Sequence, residues 1–253
     1  MILKYNETPI YYEIHGKGPA MVLLHGFLEN SRMWERLIPV LSKKNTVICI
    51  DLPGFGKSGV VDTVHSMEMM ANIVYQIISL HSFKNISILG HSMGGYVGLA
   101  YVEIYPTSVK KLILLNSTPA ADSKERKINR TRALRLIDKN SVVFLSMAIQ
   151  NLFGENSQEK YATDIEKMKN DVLSLPIEGI TAAISGMKNR TDRVSVLKNF
   201  QGGKMMISGY YDPVIPFTVS SKLAIETLTP IIKLDGGHMG IIENFDEIVS
   251  VLT

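Results

Sequence analysis

A serine sits between glycines two residues to either side in Gly90-His91-Ser92-Met93-Gly94, the G-x-S-x-G pattern of a nucleophilic serine. Its setting gives the pattern weight. The apolar run 86–89 predicts a strand leading in, and the segment from Met93 to about Tyr105, stopped by Pro106, predicts a helix leading out. A serine in so sharp a strand-to-helix turn takes a strained backbone conformation, and the two glycines are needed because Cβ atoms there would collide. A serine hydroxyl is a poor nucleophile near neutral pH, so a base must take its proton and a carboxylate must orient that base.

Of the six histidines, His15 and His65 read as loop residues, His81 ends a helix, His25 follows an early strand and His91 lies inside the turn itself. That leaves His238, directly after a strand in Asp235-Gly236-Gly237-His238, as the base. Asp212, after the preceding strand in Gly209-Tyr210-Tyr211-Asp212-Pro213, is the expected orienting acid. Asp122 is the alternative, and Asp212 as a simple turn former before Pro213 is the plain one. A tetrahedral intermediate also needs two donors for its oxyanion. The Met93 amide, opening the helix, and the Phe27 amide, in His25-Gly26-Phe27 after an early strand, are the candidates.

These residues are distant in sequence and meet only if strands deliver them to one edge. Short apolar, β-branched runs at 20–24, 46–50, 86–89, 110–115, 204–208 and 230–234 read as buried strands. Helical patterns lie between them, as in Met70, Ile73, Val74, Ile77 and Ile78, which share one helix face. Alternation of this kind implies a largely parallel sheet between helices, whose strand exits on one edge are neighbours. One interval, 119–192, carries helical patterns and no convincing strand. Its first half is basic (Lys124, Arg126, Lys127, Arg130, Arg132, Arg135, Lys139), a pattern expected of a solvated face, with attraction of acidic substrates as the alternative. Its apolar residues Phe144, Met147, Phe153 and Met187 are either core or the lining of an adaptable pocket.

Together, His25-Gly26-Phe27, the segment Asp51-Leu52-Pro53-Gly54-Phe55-Gly56-Lys57-Ser58, the Ser92 turn with Gly95, Asp212 and His238 make the whole chain similar to the α/β-hydrolase superfamily. The resemblance implies an eight-stranded, mostly parallel sheet, its first two strands preceding Gly16. It implies a core of residues 1–118 and 193–253, and a helical lid of 119–192 between strands six and seven. It implies a catalytic triad of Ser92, Asp212 and His238, with Phe27 and Met93 as the oxyanion hole. Dehalogenases and epoxide hydrolases of the superfamily use an aspartate where this chain has Ser92. The resemblance therefore implies a serine esterase acting on a small ester, lactone or thioester, with Phe144, Met147, Phe153 and Met187 as candidate substrate contacts. A cofactor-free perhydrolase, a carbon–carbon bond hydrolase and a non-catalytic ligand receptor of the same fold are the alternatives.

Composition fits this reading. In 253 residues, 45% hydrophobic and 20% charged, Lys+Arg 27 against Asp+Glu 24 leave a formal charge of +3. Nucleic acid is therefore not the expected partner; a small molecule is. The lone cysteine, Cys49, forms no internal disulfide, which suits a reducing compartment. The first ten residues lack a signal-like apolar segment and no apolar run is long enough to span a bilayer, so the expected location is the cytoplasm. Gly56-Lys57-Ser58 lacks the earlier glycine of a phosphate loop, no His/Cys set has metal-ligand spacing, and no G-x-G-x-x-G follows a strand. No cofactor and no metal are expected.

Overall fold

The computed structural model describes residues 1–154 and 157–253. Strand β1 (Ile2–Tyr5) and strand β2 (Thr8–His15) form a hairpin whose two turn residues, Asn6 (φ 46°) and Glu7 (φ 64°), both take the left-handed conformation that matches strand twist in a two-residue turn. His15, expected in a loop, is the last residue of β2. Antiparallel β2 pairs with β4 (Thr46–Ile50), and every later pairing is parallel, through β3 (Ala20–Leu24), β5 (Ile86–His91), β6 (Val109–Leu115), β7 (Gly203–Gly209) and β8 (Ile231–Leu234). The order across the sheet is β1-β2-β4-β3-β5-β6-β7-β8. All five residues of β3 and of β4 are buried, which is why these strands read as unbroken apolar runs rather than alternating ones.

Helices α1 (Ile38–Leu41), α2 (Met67–Leu80) and α3 (Met93–Ile104) lie between these strands in the chain. Ser66 starts α2 by accepting the Met69 amide, and Met70, Ile73, Val74, Ile77 and Ile78 are buried along it as their spacing predicts. From β3 the chain crosses to β4 on one side, and β5 lies on the other. The β3–β5 junction is thus the point where winding reverses and a crevice opens at the strand ends.

Between β6 and β7 the described residues form α4 (Lys124–Gln150), α5 (Ala162–Leu173), α6 (Ile177–Asn189) and the short α7 (Val194–Asn199), with no strand among them. α4 kinks at Asn140 (φ −159°, ψ 87°), whose side chain caps the second half through the Val143 amide. In the first half, Lys124, Lys127, Arg132, Arg135 and Lys139 are exposed, whereas Arg126 and Arg130 turn inward onto Asp122.

Asp122 closes the neck of this helical segment. Its fully buried carboxylate meets Arg130 at 2.9 Å and Arg190 at 2.7 Å, and Arg190 also donates to the Ala120 carbonyl. The Arg193 amide reaches the Pro119 carbonyl, so entry and exit are tied together. Burial alone would raise the Asp122 pKa, but the guanidinium groups of Arg130 and Arg190 outweigh it and hold the carboxyl below its ordinary value. A carboxyl depressed in the folded state contributes stability that is present above its unfolded pKa and lost as pH falls through the folded one. Replacing Asp122 by Asn leaves buried Arg190 uncompensated and should cost about 3–5 kcal/mol. That is a drop in Tm on the order of 10 °C for a chain of this length. Thermal melts of both proteins across pH check it: the gap should be full at neutral pH and close in strong acid.

Candidate active site

Ser92 sits at the end of β5 with φ 48° and ψ −113°, a backbone conformation that L-residues rarely adopt. The surroundings hold it there. Its amide donates to Leu115 of β6, and its carbonyl accepts from the Ser117 hydroxyl. A Cβ on Gly90 would stand 2.5 Å from the Gly94 backbone, and one on Gly94 would run into the Leu24 carbonyl. Both glycines are therefore required by the turn, as their spacing predicts.

Three strand exits converge on this turn. His238, in the loop after β8, brings Nε2 to 2.9 Å from Ser92 Oγ and Nδ1 to 2.8 Å from Asp212 Oδ2, in the loop after β7. Both side chains are buried. The Val214 and Ile215 amides donate to Asp212 Oδ1, and Asn116 Nδ2, just beyond β6, donates to Oδ2. Burial opposes the charge on Asp212, yet His238, the Ile215 amide and Asn116 overcome it and lower the pKa. The backbone of His238 is also held, its amide by the Leu152 carbonyl beyond α4 and its carbonyl by His91 Nε2.

The amides of Met93, first in α3, and of Phe27, in the loop after β3, have no protein acceptor among the described residues. His25 explains how the second is aimed. Its Nε2 accepts the Leu52 amide at 2.8 Å, so Nδ1 carries the proton and donates to the Gly26 carbonyl at 2.7 Å. A planar trans peptide then sends the Phe27 N–H the opposite way. Burial lowers the pKa of His25 and keeps it neutral, in a structural role.

The other sequence candidates are distributed unevenly. Asp122 is occupied at the neck of the helical segment and is not the partner of His238. Phe153 is buried one residue from Leu152, Met187 is buried at the end of α6, and Phe144 is half-buried against the core. Met147 is 59% exposed, on the outward side of α4, and so is not part of the core. A cavity of about 120 Å³ flanks the site, with Leu28, Met33, Met168, Met239 and Ile242 in its wall and the ion pair Arg32–Asp171 at its rim. Asn116, Glu29 and Leu28 escaped the sequence reading, being single residues in loops with no pattern around them. Among the described residues no group of three His, Cys, Asp or Glu is placed to hold a metal, and no helix is long and apolar enough to cross a membrane.

The family model described as alpha/beta hydrolase fold matches residues 19–245, and the chain belongs to that family. It is 29% identical over 196 residues to a pimeloyl-[acyl-carrier protein] methyl ester esterase of Pseudoalteromonas atlantica, covering 72% of this chain and 73% of that protein. Identity to a fluoroacetate dehalogenase of Burkholderia sp is 36% over 123 residues, 47% of this chain; the match spans only 40% of the dehalogenase. Among solved structures, a thermophilic esterase from Thermogutta terrifontis superposes with a TM-score of 0.90 at 29% identity, covering 97% of this chain and 92% of that one.

Proposed function

We propose that the protein is a serine hydrolase that cleaves a small carboxylic ester through an acyl-enzyme. The observation that carries this reading is the continuous relay from Ser92 Oγ through both nitrogens of His238 to Asp212, at 2.9 and 2.8 Å. Ser92 Oγ attacks the carbonyl carbon as its proton passes to His238 Nε2, and the oxyanion takes hydrogen bonds from the Phe27 and Met93 amides. Collapse expels the alcohol, which leaves with the proton from His238. Water then repeats the sequence on the acyl-serine and releases the acid. Neither step uses a cofactor.

The esterase relatives support the ester as the scissile bond. Dehalogenation is disfavoured by chemistry. A carboxylate displacing halide forms an ester that water can cleave, whereas Ser92 would form an inert ether.

We assign 1–118 and 193–253 to the core and 119–192 to a cap that sets selectivity. Phe153 is the cap residue best placed to meet substrate, given that its neighbour Leu152 bonds the His238 amide. Phe153→Ala should shift the preference among p-nitrophenyl esters toward longer acyl chains, each methylene contact being worth roughly 1–3 kcal/mol of discrimination, while Ser92 still reacts with a fluorophosphonate. Phe144 and Met187 are the comparison variants. An unchanged chain-length profile in all three folded variants would mean that they are packing residues.

The test of the whole reading is a fluorophosphonate probe beside steady-state turnover of p-nitrophenyl acetate. Labelling at Ser92 with sustained turnover is the expected result. Labelling without turnover identifies a receptor that reacts once, and absence of labelling overturns the assignment.

A further inference from the structure

Behind the relay lies a second polar chain that the reaction scheme does not use. Glu29 and His91 are both buried, with 3% and 0% of their side chains exposed, and His91 Nδ1 lies 2.9 Å from Glu29 Oε2. The same carboxylate oxygen accepts the Gly26 amide at 2.6 Å. At its other end, His91 Nε2 lies 2.9 Å from the His238 carbonyl, and the two imidazole rings are 5.1 Å apart. With Glu29 ionised, both nitrogens of His91 face acceptors, the arrangement of an imidazolium. Burial favours the neutral forms of both groups, but mutual attraction outweighs it, raising the pKa of His91 and lowering that of Glu29. A Cβ on Gly26 would stand 2.7 Å from Glu29 and 2.8 Å from His91, so the loop is packed directly onto the pair.

We infer that Glu29 and His91 are positioning residues that lock the Phe27 loop, the Ser92 turn and the His238 loop into one rigid unit, a role that rests on the hydrolase reading above. The peptide preceding Gly26 is held by Glu29 and the one following it by His25, so the direction of the Phe27 N–H is set from both sides. The His238 main chain is held through His91. An ion pair removed from water is weak evidence for stability, because desolvation offsets its attraction. Its geometric consequence is larger here, since three loops share one charge pair. Without the Glu29 charge, His91 gives up a proton, and either its bond to the His238 carbonyl or the anchor of the Gly26 peptide is lost. The oxyanion donor then has to be ordered during the reaction rather than before it.

The experiment compares Glu29→Gln, which keeps shape but not charge, with the wild-type protein. The expected kcat for p-nitrophenyl acetate falls about 10- to 100-fold, less than the loss of an entire oxyanion donor, with KM within about twofold. Affinity for benzeneboronic acid, whose serine adduct places an anionic oxygen in the hole, should fall by the same factor. In nitrogen-15 spectra at neutral pH, His91 should change from imidazolium to neutral imidazole and the His238 signals should shift with it. A folded variant with unchanged kcat, boronate affinity and His238 signals overturns the proposal, as does a loss accounted for entirely by unfolded protein. If Glu29→Gln does not fold, Glu29→Asp is measured in the same way, with the shorter arm expected to give a similar loss. Should the wild-type protein neither hydrolyse esters nor label, the hydrolase reading fails and the spectra alone decide whether the pair positions His238.

Discussion

Replacing Ser92 by Ala is expected to lower ester turnover on the order of 10⁶-fold, to a background set by the remaining binding groups. The fold should survive, because what Ser92 contributes structurally is main chain: its amide bonds Leu115 and its carbonyl bonds Ser117, and alanine keeps both. Alanine also keeps the Cβ, and with it the strain of φ 48°. Glycine would not. Ser92→Gly should therefore be equally inactive yet more stable by about 1–3 kcal/mol, the usual cost of such a backbone conformation. The strain persists in the native chain because the Leu115 and Ser117 bonds over-determine the turn, which presents the Ser92 hydroxyl at its tip. Turnover of p-nitrophenyl acetate, fluorophosphonate labelling and thermal melts of the three proteins check this. Retention of more than a few per cent of activity in Ser92→Ala, with contamination excluded, would move the nucleophile elsewhere.

The sequence exposed the parts of this site that carry a local pattern. Gly90 is forced by the backbone of the turn itself and Gly94 by the end of β3 beneath it, and their fixed spacing around Ser92 leaves a local motif that is visible without knowledge of the fold. Asp212 and His238 are visible because each follows an apolar strand, and strand order then brings them together. The supporting residues leave no such trace. Glu29 meets His91 across 62 residues and Asn116 meets Asp212 across 96, and a single Glu or Asn in a loop most often faces water. Asp122 shows the converse. It follows a strand as an orienting acid would, but its arginine partners include Arg190, 68 residues away, which no spacing rule connects to it. Met147, 59% exposed, and Phe144, half-buried, lie on the same stretch of α4, and only tertiary packing distinguishes them.

Asp212→Asn should lower kcat by about 10⁴-fold with little change in fold, an effect that follows from counting donors. Asp212 Oδ1 accepts the Val214 and Ile215 amides, both at 2.8 Å, so the amide oxygen of the replacement must take that place. Its NH₂ group then occupies the position of Oδ2 and points a donor at His238 Nδ1. The imidazole can answer only by moving its proton to Nε2, the nitrogen that must be free to accept from Ser92. Rotating the new amide offers no escape, because the NH₂ would then confront two backbone donors. Asn116 adapts more easily. Its Oδ1 has no partner in the native site, so turning its own amide over would satisfy the replacement, at the loss of its bond to the Gly237 carbonyl. The arrangement thus tolerates the substitution structurally while trapping the wrong tautomer. Kinetics should show the loss in kcat with KM nearly unchanged, and spectra of nitrogen-15 histidine should place the His238 proton on Nε2. A variant within tenfold of wild type, with the proton still on Nδ1, would mean that another group orients the base.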